Sequence, residues 1–278
     1  MSRIVRSACV CALVMAPVAW AGSGQPVEDM LEMNEPSGHD VLTELWNFED
    51  AVPVAAGQVD LRLTGRWVTA SFPANLGDSH DDAILTPSIR WGAWESLELS
   101  VTVPVVIGEG GALPDGQDGN YDTFVGMLWR MSEQEGLWPA MGLSGTVRLP
   151  TGENSSGVDG ELRLVMTNEY KSGLRSHVNG FAQSVNGDAQ RNLRDFQWGF
   201  IVGLDGPLCA GGAVRWVADY MHRSSFRDGS GDINQLEVGW EWDIAAANKL
   251  GMSVQIGLDD NDDTSDFGAA VTYAYALK

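Results

Sequence analysis

Cysteine is nearly missing from this chain of 278 residues: Cys9 and Cys11 lie in an apolar N-terminal stretch, and beyond it only Cys209 remains. One thiol cannot close an intramolecular disulfide, and the four histidines are scattered, so no Cys/His cluster of the kind that holds a transition metal is present in the sequence. No cofactor is expected. Basic residues are scarce too, 17 Lys and Arg against 38 Asp and Glu, for a formal net charge of −21. Without a basic patch the chain is not a nucleic-acid binder, because that affinity rests on neutralising phosphates. Long apolar runs are also missing. No segment approaches the ~18 continuous apolar residues of a spanning helix, which excludes a helical membrane protein.

What is present begins with an export signal. Arg3 and Arg6, the apolar stretch 8–18 and the A-x-A site Ala19-Trp20-Ala21 mark residues 1–21 as a cleaved secretory peptide. Its loss removes two positive charges and takes the net charge from −21 to −23. A lipoprotein is not expected, since the apolar run before either early cysteine is too short. Residues 22–53 are acidic, with Glu28, Asp29, Glu32, Glu35, Asp40, Glu44, Glu49 and Asp50, and lack strand alternation. They read as a periplasmic leader, a tether rather than a plug in the barrel mouth. Val41, Leu42, Leu45, Trp46 and Phe48 could share one face of a short helix after an Asp40 cap, ended by Pro53.

From residue 54 to 278 the sequence is written in period two. Val59, Leu61, Leu63, Gly65 and Trp67 fall on one strand face and Asp60, Arg62, Thr64 and Arg66 on the other. Twelve such segments are expected at 57–71, 82–91, 95–107, 121–131, 138–149, 160–170, 174–185, 195–205, 208–221, 232–243, 249–258 and 267–277. Their lengths suit tilted membrane crossings of about 9 to 11 residues. The connections alternate: long at 72–81, 108–120, 150–159, 186–194, 222–231 and 259–266, short at 92–94, 132–136, 171–173, 206–207 and 244–248. An even number of antiparallel crossings with short turns at one end and long loops at the other is the pattern of a bacterial outer-membrane barrel, turns periplasmic and loops outside. The expected fold is therefore all-β, one up-and-down transmembrane β-barrel in the outer membrane.

Alternation alone does not say which face is outside, because a soluble barrel writes the same pattern inverted. The aromatics decide. With this topology Trp91, Trp94, Trp129, Trp138, Tyr170, Trp240, Trp242, Tyr273 and Tyr275 fall at the periplasmic ends of their strands, and Tyr121, Phe196, Trp198, Tyr220 and Phe267 at the outer ends. Two interfacial girdles follow. Inward parity then belongs to Arg62, Arg66, Arg90, Arg130, Arg148, Arg163, Arg175 and Arg215, opposite Asp60, Glu98, Asp122, Glu161, Glu169, Asp219, Glu237 and Glu241. Such a lattice either pairs charges to fill a narrow barrel or lines a solute track. Twelve strands fall between eight-strand barrels packed shut and wide sixteen-strand porins, so any pore should be narrow.

The fifth expected strand ends Arg148-Leu149-Pro150-Thr151-Gly152-Glu153, which resembles the L-P-T-G-D motif of the outer-membrane family named for the putative meta-pathway of phenol degradation. The order of parts is similar as well: a leader, a first strand after Gly57, a strand ending Arg90-Trp91-Gly92, a run from Leu97 to Pro104, and a closing strand from Phe267-Gly268. The resemblance implies passive uptake of small hydrophobic or aromatic molecules and no catalytic residues. Leu149, Pro150, Thr151 and Gly152 themselves read as a β-turn opening an external loop. The chain departs from barrel custom in ending on Lys278 and not on an aromatic, although Val271, Tyr273, Tyr275 and Leu277 keep one apolar face.

The last external loop carries Asp259, Asp260, Asn261, Asp262, Asp263 and Asp266. Asp259, Asn261 and Asp263 match the first positions of a calcium loop, but Thr264 replaces the required glycine and Ala270 the bidentate glutamate, so a solvated acidic loop is expected. Catalysis has little support. Gly142-Leu143-Ser144-Gly145-Thr146 lacks the final glycine of a nucleophile elbow. Only His177 sits in mid-strand, facing inward, whereas a lipid-active barrel enzyme needs a Ser/His pair on its outer face. His222 opens an expected loop. The expected partners are outer-membrane lipid and lipopolysaccharide, the barrel-assembly machinery and a small solute; the alternatives to a channel are a barrel with an occluded lumen and a lipid-active enzyme.

Overall fold

A computed structural model describes residues 47–71, 79–107, 119–120, 122–152, 157–184, 194–208, 212–225, 229–259 and 265–277. Its strands are β1 (Val59–Ser71), β2 (Ser79–Trp94), β3 (Leu97–Thr102), β4 (Val105–Ile107), β5 (Gly119–Asn120), β6 (Thr123–Ser132), β7 (Ala140–Leu149), β8 (Asp159–Glu169), β9 (Arg175–Ser184), β10 (Phe196–Pro207), β11 (Val214–Arg223), β12 (Ile233–Ala245), β13 (Asn248–Gly257) and β14 (Ser265–Leu277). All ladders are antiparallel and follow chain order. β1 pairs with β2 on one side and with β14 on the other, from Val59↔Leu277 upward, which closes the sheet. β3 and β4 are one crossing broken at Val103-Pro104, and β5 and β6 another broken at 121–122, so the barrel has 12 strands. Closure leaves no unpaired strand edge, which a backbone in lipid cannot tolerate.

The faces are those of a membrane barrel. Along β10, Phe196, Trp198, Phe200, Val202 and Leu204 are exposed while Gln197, Gly199, Ile201, Gly203 and Asp205 are buried. Polar and charged groups line the lumen and an apolar band covers the wall, the inverse of a soluble barrel. Trp91, Trp94, Trp129, Trp138, Tyr170, Trp240, Trp242, Tyr273 and Tyr275 are all exposed at the short-turn end, and Phe196, Trp198 and Phe267 at the other. Tyr121 lies outside the described residues.

Two boundaries differ from the sequence pattern. The turn expected at 206–207 falls instead at 208–213, because the ladder runs on through Pro207↔Arg215 and Leu208 N–H donates to Val214 O at 2.8 Å. Proline is tolerated there as the last residue of its strand, where its missing N–H costs no ladder bond. β11 likewise runs on to Arg223, two residues past Met221.

Candidate functional site

The chain enters β1 from inside the barrel. Residues 47–54 form an extended strap through the lumen, rising from the short-turn end to mid-height, where the leader was expected to run as a tether outside. An extended segment with no strand beside it must bond its backbone to side chains, and here the barrel wall supplies them. Val54 N–H donates to Glu98 Oε2 at 2.8 Å, Ala51 N–H to Thr167 Oγ1 at 3.0 Å, and Glu49 N–H to Asn179 Oδ1 at 2.6 Å. Asn179 Nδ2 returns a bond to Glu49 O at 3.1 Å, so one amide side chain plays the part of a neighbouring strand. Arg163 donates to Asn47 O at 3.1 Å, Asn47 Nδ2 to Asp219 Oδ1 at 2.7 Å, and Arg175 pairs with Asp50 at 2.7 Å.

Phe48 is the strap's anchor. Its ring stacks on His177 with centroids 4.1 Å apart and packs with Phe181, Ile201, Val217, Met221 and Ala270 in one apolar patch of an otherwise polar lumen. Ala51 sits fully buried against Leu128, Ala140 and Val165. Two glycines make room for the strap. A Cβ on Gly203 would lie 2.6 Å from the Phe48 ring, and one on Gly92 would be driven into the carbonyl oxygens of Val54 and Ala55 where the strap leaves the lumen. That close approach gives the Arg90-Trp91-Gly92 run a physical reason.

Below the strap, Asp205 gathers three cationic or polar partners: Arg175 Nε at 2.9 Å, Arg215, and His177 Nε2 at 2.7 Å. The carboxylate accepts from Nε2–H, so Nδ1 accepts from Thr167 O–H at 3.1 Å, the same hydroxyl that takes the Ala51 N–H. Wall and strap are thus one network. Toward the periplasmic end the lumen opens into a cavity of about 1120 Å³, lined among others by Asp60, Arg62, Arg90, Arg175, Arg215 and Glu241. On the far side of the strap, the space beside Glu49, Glu161 and Arg163 is only about 60 Å³.

All eight arginines named from the sequence lie on the lumen side of their strands, and they are paired. Arg62 meets Asp60, Arg90 meets Glu98, Arg163 meets Glu161, Arg130 meets Glu133, and Arg148 is held between Asp122 and Asp159. Arg66 donates to Gln255 at 2.8 Å beside the register pair Asp219 and Glu237. Lys249 pairs with Glu241 at the periplasmic rim. Thr151 and Gly152 are a turn, their N–H groups donating to Asp122 Oδ1 at 3.0 and 2.9 Å. Of the acidic loop, Asp259 accepts from Asn234, and Asn261 and Asp263 lie outside the described residues. Sequence reasoning missed the strap contacts of Asn47, Phe48, Thr167 and Asn179. The available signal was His177, an inward ring with no sequence partner.

No family model matches the chain, and no curated protein is similar to it. Solved structures are similar in fold. The COG4313 outer membrane channel from Pseudomonas putida F1 superposes with a TM-score of 0.65 at 12% identity, over 84% of this chain and 100% of that one. The NanC porin gives 0.57 at 7% identity, over 79% of this chain and 100% of that one. The CymD monoaromatic hydrocarbon channel gives 0.45 at 8% identity, over 81% and 89%, too low a score to argue from.

Proposed function

We propose that the chain is a passive outer-membrane channel for small hydrophobic or aromatic molecules, gated by the strap 47–54. The observation that carries this reading is the seat of Phe48: an apolar patch beside the His177 ring, at mid-height in a polar lumen, filled by an aromatic side chain from a segment outside every ladder. A solute ring in that seat would meet the same stacking and the same burial. The strap can leave without breaking a single strand pairing, since it is bonded only to side chains of the wall.

The fold shared with the Pseudomonas putida outer membrane channel and the L-P-T-G turn support this reading. Export under residues 1–21 and contact with lipopolysaccharide and the assembly machinery belong to the same proposal. The paired arginines and acids then keep the path narrow and dry of unpaired charge rather than forming a separate binding site. Liposome swelling tests it. Vesicles carrying the protein should admit small aromatic alcohols faster than sugars of equal size, and the difference should grow when the strap is weakened. Vesicles sealed to every solute, with or without Phe48, would favour an occluded structural barrel.

A further inference from the structure

A second constellation lies on the outside of the barrel wall. Because β11 continues to Arg223, whose side chain is buried on the lumen side, His222 faces outward, opposite Phe200 on β10 and Asn234 on β12. Asn234 also faces out, between the buried inward residues Ile233 and Gln235. Its backbone N–H and Nδ2 both donate to Asp259 Oδ2, at 2.6 and 2.7 Å. Its Oδ1 accepts from Tyr220 O–H at 2.5 Å and lies 2.9 Å from His222 Nδ1. The tautomer follows. With the amide nitrogen committed to a carboxylate, Asn234 offers His222 only an acceptor, so Nδ1 carries the proton and Nε2 keeps its lone pair. The Asp232 carboxylate stands 3.7 Å from Nε2, placed to stabilise the imidazolium if that nitrogen takes a proton.

Ser224 follows two residues later and shares the outward face by alternation. Its N–H donates to Trp198 O at 2.9 Å, its carbonyl accepts from Gln197 Nε2 at 3.2 Å, and its Oγ accepts from Trp198 N–H at 3.0 Å. The hydroxyl has its own proton left to donate. A serine, a histidine whose free nitrogen is a base, and an acceptor that fixes that histidine's tautomer are the three parts of an acyl-transfer site. The surroundings suit lipid. Trp198 and Phe200 rings lie 5.4 and 5.2 Å from the His222 ring, and the outward line continues down β10 through Val202 and Leu204, all four exposed on the wall. This is the outer aromatic girdle, the level of lipid headgroups and ester carbonyls.

We propose that Ser224, His222 and Asn234 form a hydrolase site on the outer wall, acting on a fatty-acyl ester of a membrane lipid. Oγ of Ser224 bonds to the ester carbonyl carbon as its proton passes to His222 Nε2, and the carbonyl π pair moves to oxygen. Collapse of this intermediate breaks the bond to the alcohol oxygen, which takes the proton from Nε2, leaving acyl-Ser224 and a free lipid hydroxyl. Water then attacks the acyl carbon, gives one proton to Nε2, and the Oγ–carbon bond breaks; Nε2 returns the proton to Oγ and a fatty acid leaves. Asn234, held by Asp259 and Tyr220, is the positioning residue that keeps Nε2 basic. Ser224 is only 1% exposed, so bound lipid must displace its cover before Oγ can attack.

The test uses the full-length barrel, with folding of each variant checked by heat-modifiable mobility. Two probes separate the lipid source: phosphatidylethanolamine and lipid A, each in detergent micelles, with released fatty acid measured by mass spectrometry. A long-chain alkyl sulfonyl fluoride reports the nucleophile directly. The expected results are fatty acid release from one of the two lipids, sulfonylation of Ser224, and loss of release by about 10³-fold or more in S224A and H222A. N234A should lower kcat with little change in KM, and N234D should recover part of it, a split that a merely structural hydrogen bond would not give. Phe48→Ala should leave hydrolysis unchanged, so this proposal and the channel reading fail separately. No release from either lipid, label on another residue, or release unchanged in S224A overturns it.

Discussion

Replacing Phe48 with alanine tests the gate most directly, because it alters the strap without touching a ladder. The ring is 6% exposed, stacked on His177 and packed against Phe181, Ile201, Val217, Met221 and Ala270. Truncating a buried phenylalanine costs about 3 to 5 kcal/mol where the site cannot collapse. The wall of a closed barrel cannot collapse onto the gap, so the whole cost falls on strap docking. At ~1.4 kcal/mol per tenfold, the ratio of undocked to docked strap should rise by about 10² to 10⁴. The polar bonds from Asn179, Thr167, Glu98 and Arg175 remain, so the strap is weakened and not abolished. In planar bilayers the wild type should show rare, brief openings, and F48A long ones of larger conductance. Gly203→Val should act alike from the opposite side, because its added Cβ meets the ring at 2.6 Å. Unchanged conductance in both variants, with folding intact, would refute a gating role for the strap.

Asp205→Asn should destabilise the barrel by about 3 kcal/mol in urea unfolding, the low end for breaking a buried ion pair because Arg175 and Arg215 keep some water; a loss under ~0.5 kcal/mol would show that the network is not shared between strap and wall. Val101→Arg, on the outward face between Ile89 and Val125, should cost about 2 to 4 kcal/mol in vesicle folding titrations, while Val101→Thr should cost far less. Equal costs would contradict the assignment of faces. A tag inserted at Ser172, in the short turn after β8, should be unreachable on intact cells, and one inserted between Gly116 and Gln117 should be labelled. The reverse pattern would invert the topology.

The barrel was legible because its rule is local: a side chain's face follows from parity, and parity placed the eight lumen arginines before any contact was known. The strap was not legible, since residues 47–54 have no period and their partners, Glu98, Thr167, Asn179 and Asp219, lie 44 to 172 positions away. Acidic composition suggested a solvated tether, and nothing local showed that Asp50 would meet Arg175 or that the Phe48 ring would find His177. The outer-wall cluster was hidden for a different reason. Ending β11 at Met221 turned His222 and Ser224 into loop residues and removed them from the parity count. Two more residues of strand restore it, and with it the pairing of His222 with Asn234. A boundary error of two residues is small for a fold and decisive for a site, because on a strand the face of each chemical group is fixed only as far as the ladder runs. Extending β11 makes His222 a base presented to lipid, held in its tautomer by an amide on the adjacent strand.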